Sequence, residues 1–152
     1  LVHVIRTTLA STVSLALARA FRSPEPHWAA ISTLVVTQST LGAAWTISIQ
    51  RFVGTALGAA SAILLMAYLG SSILAFAAGV FGLGLICAIS RLDNAAYRFA
   101  GITLAIVLVV QRQGPIWMIA AHRFAEVSLG IAVGLVMTAL WPESGRGVSS
   151  QK

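Results

Sequence analysis

The sequence predicts an all-α fold, a polytopic membrane protein of six transmembrane helices built as two inverted three-helix repeats over about residues 1–70 and 71–142. Three observations carry this reading. Hydrophobic residues make up 58% of the chain and charged residues 9%, whereas a soluble domain carries roughly 25% charged residues. A spanning helix takes about 20 apolar residues to cross about 30 Å of hydrocarbon at about 1.5 Å per residue, and 152 residues have room for six with short loops. Lastly, the stretch from His27 to Gly58 recurs in weaker form 71 to 72 residues later. Ala29, Ile31 and Val36 return as Ala100, Ile102 and Val107, while Arg51-Phe52 and Leu57-Gly58 return as Arg123-Phe124 and Leu129-Gly130. Each Arg-Phe pair opens an apolar helix with a Gly-x-x-x-Gly pair, Gly54 with Gly58 and Gly130 with Gly134, whose small surface lets helices pack closely. A repeat with an odd number of spans puts its second copy upside down in the membrane.

Residues 4–21 form the first apolar run, with Arg6 and Arg19 near its ends, where long side chains reach the interface. A signal peptide would share the basic start and the small residues at its end, but the run completes a three-helix repeat. Thr7, Ser11 and Ser14 share one face. Their hydroxyls either bond the preceding turn and pack as small groups, or form a polar stripe along a substrate pathway. Pro24 and Pro26 break the chain. Helix two is expected from about Trp28 to Leu41, with Thr37 and Gln38 where the bilayer is driest. Polar groups there need partners, so Gln38 either bonds a neighbouring helix or faces substrate. Residues 43–50 read as an interfacial segment with Trp45 at headgroup depth, and helix three as Arg51 to about Leu69.

Gly70-Ser71-Ser72 reads as a tight turn before helix four, Ile73 to about Ser90, on which Gly79, Gly82 and Gly84 mark a close-packed surface. The loop of residues 91–98 suits a helical hairpin. Helix five is expected from about Phe99 to Val110, and helix six from Trp117-Met118 to Trp141, stopped by Pro142. The polar tail 143–152 reads as disordered. Trp28, Trp45, Trp117 and Trp141 all fall at expected helix ends, where an amphipathic ring prefers the headgroup layer.

The net charge of +6 sits mostly between apolar runs, so it reads as loop charge and not as a nucleic-acid footprint. With an inside N-terminus, Arg6, Arg51, Arg91, Arg98, Arg146 and Lys152 lie inside, against Arg19, Arg22, Arg112 and Arg123 outside, which favours cytoplasmic termini. Cys87 is the only cysteine, which excludes an internal disulfide or cysteine metal site. His3, His27 and His122 lie on different segments and the four acids do not pair, so neither catalytic residues, nor a metal, nor a cofactor is expected.

Trp28, the Thr37-Gln38 pair and Arg51-x-x-Gly54-Thr55-x-x-Gly58, followed by Arg123-x-x-Glu126-x-x-x-Gly130, resemble the fusaric acid resistance protein-like (FUSC) membrane family, which includes aromatic acid exporters. The resemblance covers helices two to six. It implies a bacterial inner-membrane efflux transporter or pore for small organic anions, chiefly aromatic carboxylic acids. Plant malate channels are similar more remotely. Larger members carry two six-helix units or a cytosolic domain. The chain starts at Leu1 and carries neither, so a small member and a piece of a longer one both fit.

Under this reading Thr37, Gln38 and Arg51 at the start of helix three line the pathway with Thr7 and Ser11, and arginines at both mouths attract carboxylates. The lipid bilayer, a small organic anion and a second copy of the chain, as a homodimer, are the expected partners. Glu126, three residues after Arg123 and four after His122, either pairs with Arg123 in the first turns of helix six or takes up a proton and couples its entry to anion exit. An anion channel, or a membrane component that assembles through its glycine faces without transporting, are the alternatives.

Overall fold

The computed structural model of the chain describes residues 2–37, 40–109 and 114–141. These form six α-helices: α1 Val2–Ala20, α2 His27–Val36, α3 Leu41–Leu69, α4 Ile73–Ile89, α5 Asn94–Val109 and α6 Ile116–Leu140. The boundaries correct several expectations. Residues 43–50 are not an interfacial segment but the first turns of α3, because the Thr40 hydroxyl caps the helix by accepting from the Ala43 N–H at 3.3 Å and no proline interrupts the run to Leu69. At 29 residues, α3 is about 43 Å long at about 1.5 Å per residue. Helix α2 stops at Val36, where Thr37 turns extended, and its 10 residues cover only about 15 Å. Helix α5 starts at Asn94, so the loop before it is short. Among the described residues, α3 and α6 are the two helices long and apolar enough to cross a membrane by themselves.

Glycine contacts fix the helix directions. Gly130 lies on Ala29 and Ser32, and Gly134 on Thr33 and Val36, so α6 runs parallel to α2. Gly54 lies on Ala96 and Phe99, and Gly58 on Ala100 and Thr103, so α5 runs parallel to α3. Helix α4 is antiparallel to α5, with Gly79 at Leu104 and Gly84 at Tyr97, whereas Gly82, expected on the same packed surface, meets nothing within 4 Å. Helix α3 doubles back on α2, bringing Arg51 to Ser32. Near the start of α1, Arg6 is fully buried and donates through Nη1 to the Trp141 carbonyl beyond the end of α6 at 2.8 Å. Direction therefore alternates along the chain.

The packing has an internal regularity. Contacts join α1 to α2 and α4 to α5, α1 to α6 and α4 to α3, α2 to α6 and α5 to α3, α2 to α3 and α5 to α6, and α3 to α6. Exchanging α1-α2-α3 with α4-α5-α6 returns the same set. Helices α1 and α4 even end alike: the N–H groups of Phe21, Arg22 and Ser23 donate to the Leu17, Arg19 and Ala18 carbonyls, as those of Ser90, Arg91 and Leu92 do to Ile86, Ala88 and Cys87. Arg22 and Arg91 both take the left-handed conformation this ending requires, at φ 53° and 52°.

Much of the exterior is apolar, and several polar and charged groups lie inside among the apolar core. Val4, Leu9, Val13, Ile73, Leu74, Phe81, Leu85 and Ile89 point outward, whereas Arg6, Ser14, Ser32, Thr33, Ser48, Arg51, Thr55, Arg123, Glu126 and Thr138 are buried. One apolar cluster joins Ala59, Ala62, Leu83, Ala100 and Leu104, and another joins Val36, Ala44, Val127 and Ile131. The second cluster adjoins a polar seam where α2 meets α3 and α6.

Candidate functional site

Helix α2 organises the seam because its residues are small or hydroxylated where two longer helices press on it. The Ser32 hydroxyl donates to the Trp28 carbonyl at 2.8 Å and accepts from Arg51 Nη2 at 3.1 Å. Thr33 Oγ1 lies 3.0 Å from both the Ala29 and the Gly130 carbonyls, which ties α2 to α6. The Arg51 guanidinium, in a residue 5% exposed, faces the Phe99 ring 4.9 Å from its centroid. Its Nε is buried and has no hydrogen-bond partner among the described residues.

A second guanidinium lies nearby. Arg123 stacks on the Trp28 ring at 3.4 Å from the centroid, and Trp28 Nε1–H donates to Glu25 Oε2 at 2.6 Å. Glu126, one turn beyond Arg123 and 3% exposed, accepts the Glu25 backbone N–H through Oε1 at 3.0 Å. The Phe52 and Phe124 rings, each following one of the arginines in sequence, meet at 4.8 Å between centroids where α3 crosses α6. Among the described residues, the seam thus offers two positive groups on aromatic faces, a hydroxyl beside Arg51, and carboxylates beside Arg123. Such groups hold anions, because a cation in a low-dielectric site attracts a carboxylate far more strongly than in water.

Several expected site residues fall elsewhere. Arg51 is the eleventh residue of α3 and not at its start, so the helix dipole does not act there. Arg51 and Arg123 are buried and so are not mouth charges, unlike the exposed Arg19, Arg22, Arg91 and Arg98. Glu126 is the eleventh residue of α6 and not in its first turns, and His122, expected on the same face, is exposed. Thr37 is buried and donates to the Thr33 carbonyl at 2.7 Å. Gln38, Arg112, Pro142 and the tail 143–152 lie outside the described residues. Thr7 and Ser11 are half-buried on α1, which does not touch α3, so they are not brought to Arg51; Ser11 instead donates to the Thr8 carbonyl at 3.1 Å. Gly54, Gly58, Gly130 and Gly134 are all covered by this chain's own α5 and α2, which removes them as faces for a partner.

Ser32, Phe99 and Glu25 carry no mark in the sequence that assigns them to this site, and Trp28 reads there as an interface anchor. The repeat holds a usable signal. Its offset pairs Trp28 with Phe99 and Arg51 with Arg123, so the aromatic partner of each arginine is implied by the other.

An all-helical chain with an apolar exterior and two buried arginine–aromatic centres fits a membrane class, and the chain belongs to the fusaric acid resistance protein-like family, which residues 11–137 match. It is similar to the protein named "Uncharacterized transporter YdhK" of Escherichia coli K12, 32% identical over 93% of this chain, and to that of Salmonella typhimurium LT2, 29% identical over 97%. The chain spans 22% and 23% of these relatives. No solved structure matches it.

Proposed function

We propose that the chain is a membrane transport unit for small organic anions, chiefly aromatic carboxylic acids, exporting them across a bacterial inner membrane. In this reading it crosses the bilayer six times as two inverted three-helix units with cytoplasmic termini, and works as a homodimer. The observation that carries the reading is Arg51, a buried guanidinium on an aromatic face with a hydroxyl beside it. Family membership and the transporter name of the relatives support membrane transport. The alternating helix directions, the exchangeable contacts and the outward apolar side chains support the inverted repeat and the bilayer setting. Exposed Arg19, Arg22, Arg91 and Arg98 would gather carboxylates at the entrances. The test is efflux of labelled benzoate from vesicles. Protein-containing vesicles should empty faster than protein-free ones, and Arg51→Gln should remove the difference; equal rates with the parent protein would refute transport.

A second reading that family membership also supports is a membrane component that assembles with a partner and does not transport alone. Efflux by the isolated chain separates the two.

A further inference from the structure

The exchange that carries α1-α2-α3 onto α4-α5-α6 also carries one arginine centre onto the other. Arg51 on Phe99 corresponds to Arg123 on Trp28. Gly58, against the Ala100 carbonyl and Thr103, corresponds to Gly130, against the Ala29 carbonyl and Ser32. The centres differ in their acids, above all at the position one turn after each arginine. Where α6 carries Glu126, α3 carries Gly54, and the Ala96 carbonyl and Phe99 Cβ close over the space a side chain would need.

The charge content differs accordingly. Around Arg123 are the buried carboxylate of Glu126 and, through the Trp28 indole, that of Glu25. Near Arg51 the acid that the structure describes is Asp93, which is exposed and accepts from Gln50 Nε2 at 2.6 Å. Burying a guanidinium with no compensating charge is strongly unfavourable. The Phe99 face and the Ser32 hydroxyl compensate part of this, and Nε is left with no partner among the described residues.

We propose that the Arg51 centre is a station for a single carboxylate, the ligand itself being its counter-charge, and that Glu126 is a resident counter-anion holding the corresponding Arg123 station closed to ligand. The inference deepens the anion-transport reading and rests on it for the ligand class. One uncompensated guanidinium takes a monocarboxylate, and the Phe99 ring beside it suits an apolar or aromatic body. A dianion would bring a second charge, and the nearby Arg123 already has the Glu126 carboxylate one turn along its own helix.

Benzoate titration of the purified full chain, followed by calorimetry, tests this. The parent protein should bind benzoate at a single site, and more tightly than malonate. Arg51→Gln should weaken benzoate by about tenfold to a hundredfold, the worth of a charge-assisted hydrogen bond. Glu126→Gln, which keeps the shape and the acceptor for the Glu25 N–H, should gain a second benzoate per chain. Should that variant fail to fold by circular dichroism, Arg123→Gln with Glu126→Gln decides: the first site alone remains if the proposal holds. Undiminished binding in Arg51→Gln, no second site in folded Glu126→Gln, or loss of the first site in the folded double variant would each overturn it. Binding is read without a gradient. Arg51-dependent binding with no vesicle efflux therefore sinks the transport reading alone, and efflux with Arg51-independent binding sinks this inference alone.

Discussion

Glu126 shows how burial separates two chemistries that one residue type can serve. A carboxyl this deep must be compensated or titrate. It accepts a backbone N–H from Glu25 and lies one turn from Arg123, an arrangement suited to a permanent counter-charge. In vesicles carrying Glu126→Gln, benzoate efflux should therefore respond to an imposed pH gradient as the parent does. Loss of that response with efflux retained would restore the proton-coupling role. Arg51 is the repeat equivalent of Arg123 without the acid, and its stability in the interior depends on Phe99 and Ser32 from two other helices.

At the scale of helices, glycine decides which pairs meet. A Cβ on Gly58 would overlap the Ala100 carbonyl oxygen, and one on Gly130 the Ala29 carbonyl oxygen, backbone atoms that cannot move aside. Gly130→Ala and Gly58→Ala should each destabilise by about 1–3 kcal/mol, the usual cost of overpacking. Gly42→Ala offers the contrast: an added Cβ there meets nothing within 4 Å, and relief of glycine's poor helix propensity should stabilise α3 by up to about 1 kcal/mol. Thermal unfolding in one detergent compares them, and a Gly130→Ala melt matching the parent's would contradict the packing described. The short α2 follows from the same economy. It gives Ser32 to Arg51 on α3 and Thr33 to the Gly130 carbonyl on α6, so its stability comes from packing and not from length.

For the molecule as a whole, alternating direction puts the α1–α2 and α4–α5 connections at opposite ends of the bundle. Cysteines introduced at Pro24 and at Asp93, in a Cys87→Ala background, should react with an impermeant thiol reagent from opposite sides of the membrane. Reaction of both from one side would refute the inverted arrangement. The homodimer predicts a particle of two chains by light scattering with the detergent contribution subtracted. A single-chain mass across mild detergents would exclude it.

The sequence by itself determined the helical class, the Arg-Phe and Gly-x-x-x-Gly pairs, and the family, because these depend on composition and on spacing along the chain. Its repeat also held the equivalence of Arg51 and Arg123, since matched residues survive as an offset. Helix limits were legible where a breaker or turn stands, Pro26 and Pro115 before α2 and α6 and Gly70-Ser71-Ser72 between α3 and α4, but Thr40 carries α3 back through residues that look interfacial. The depth of Glu126, the exposure of His122, and the meeting of Ser32, Phe99 and Trp28 with the arginines were decided by tertiary structure alone. Each depends on which helix lies against which, and that choice is made by close backbone contacts between segments up to about a hundred residues apart, whose energy no local pattern records.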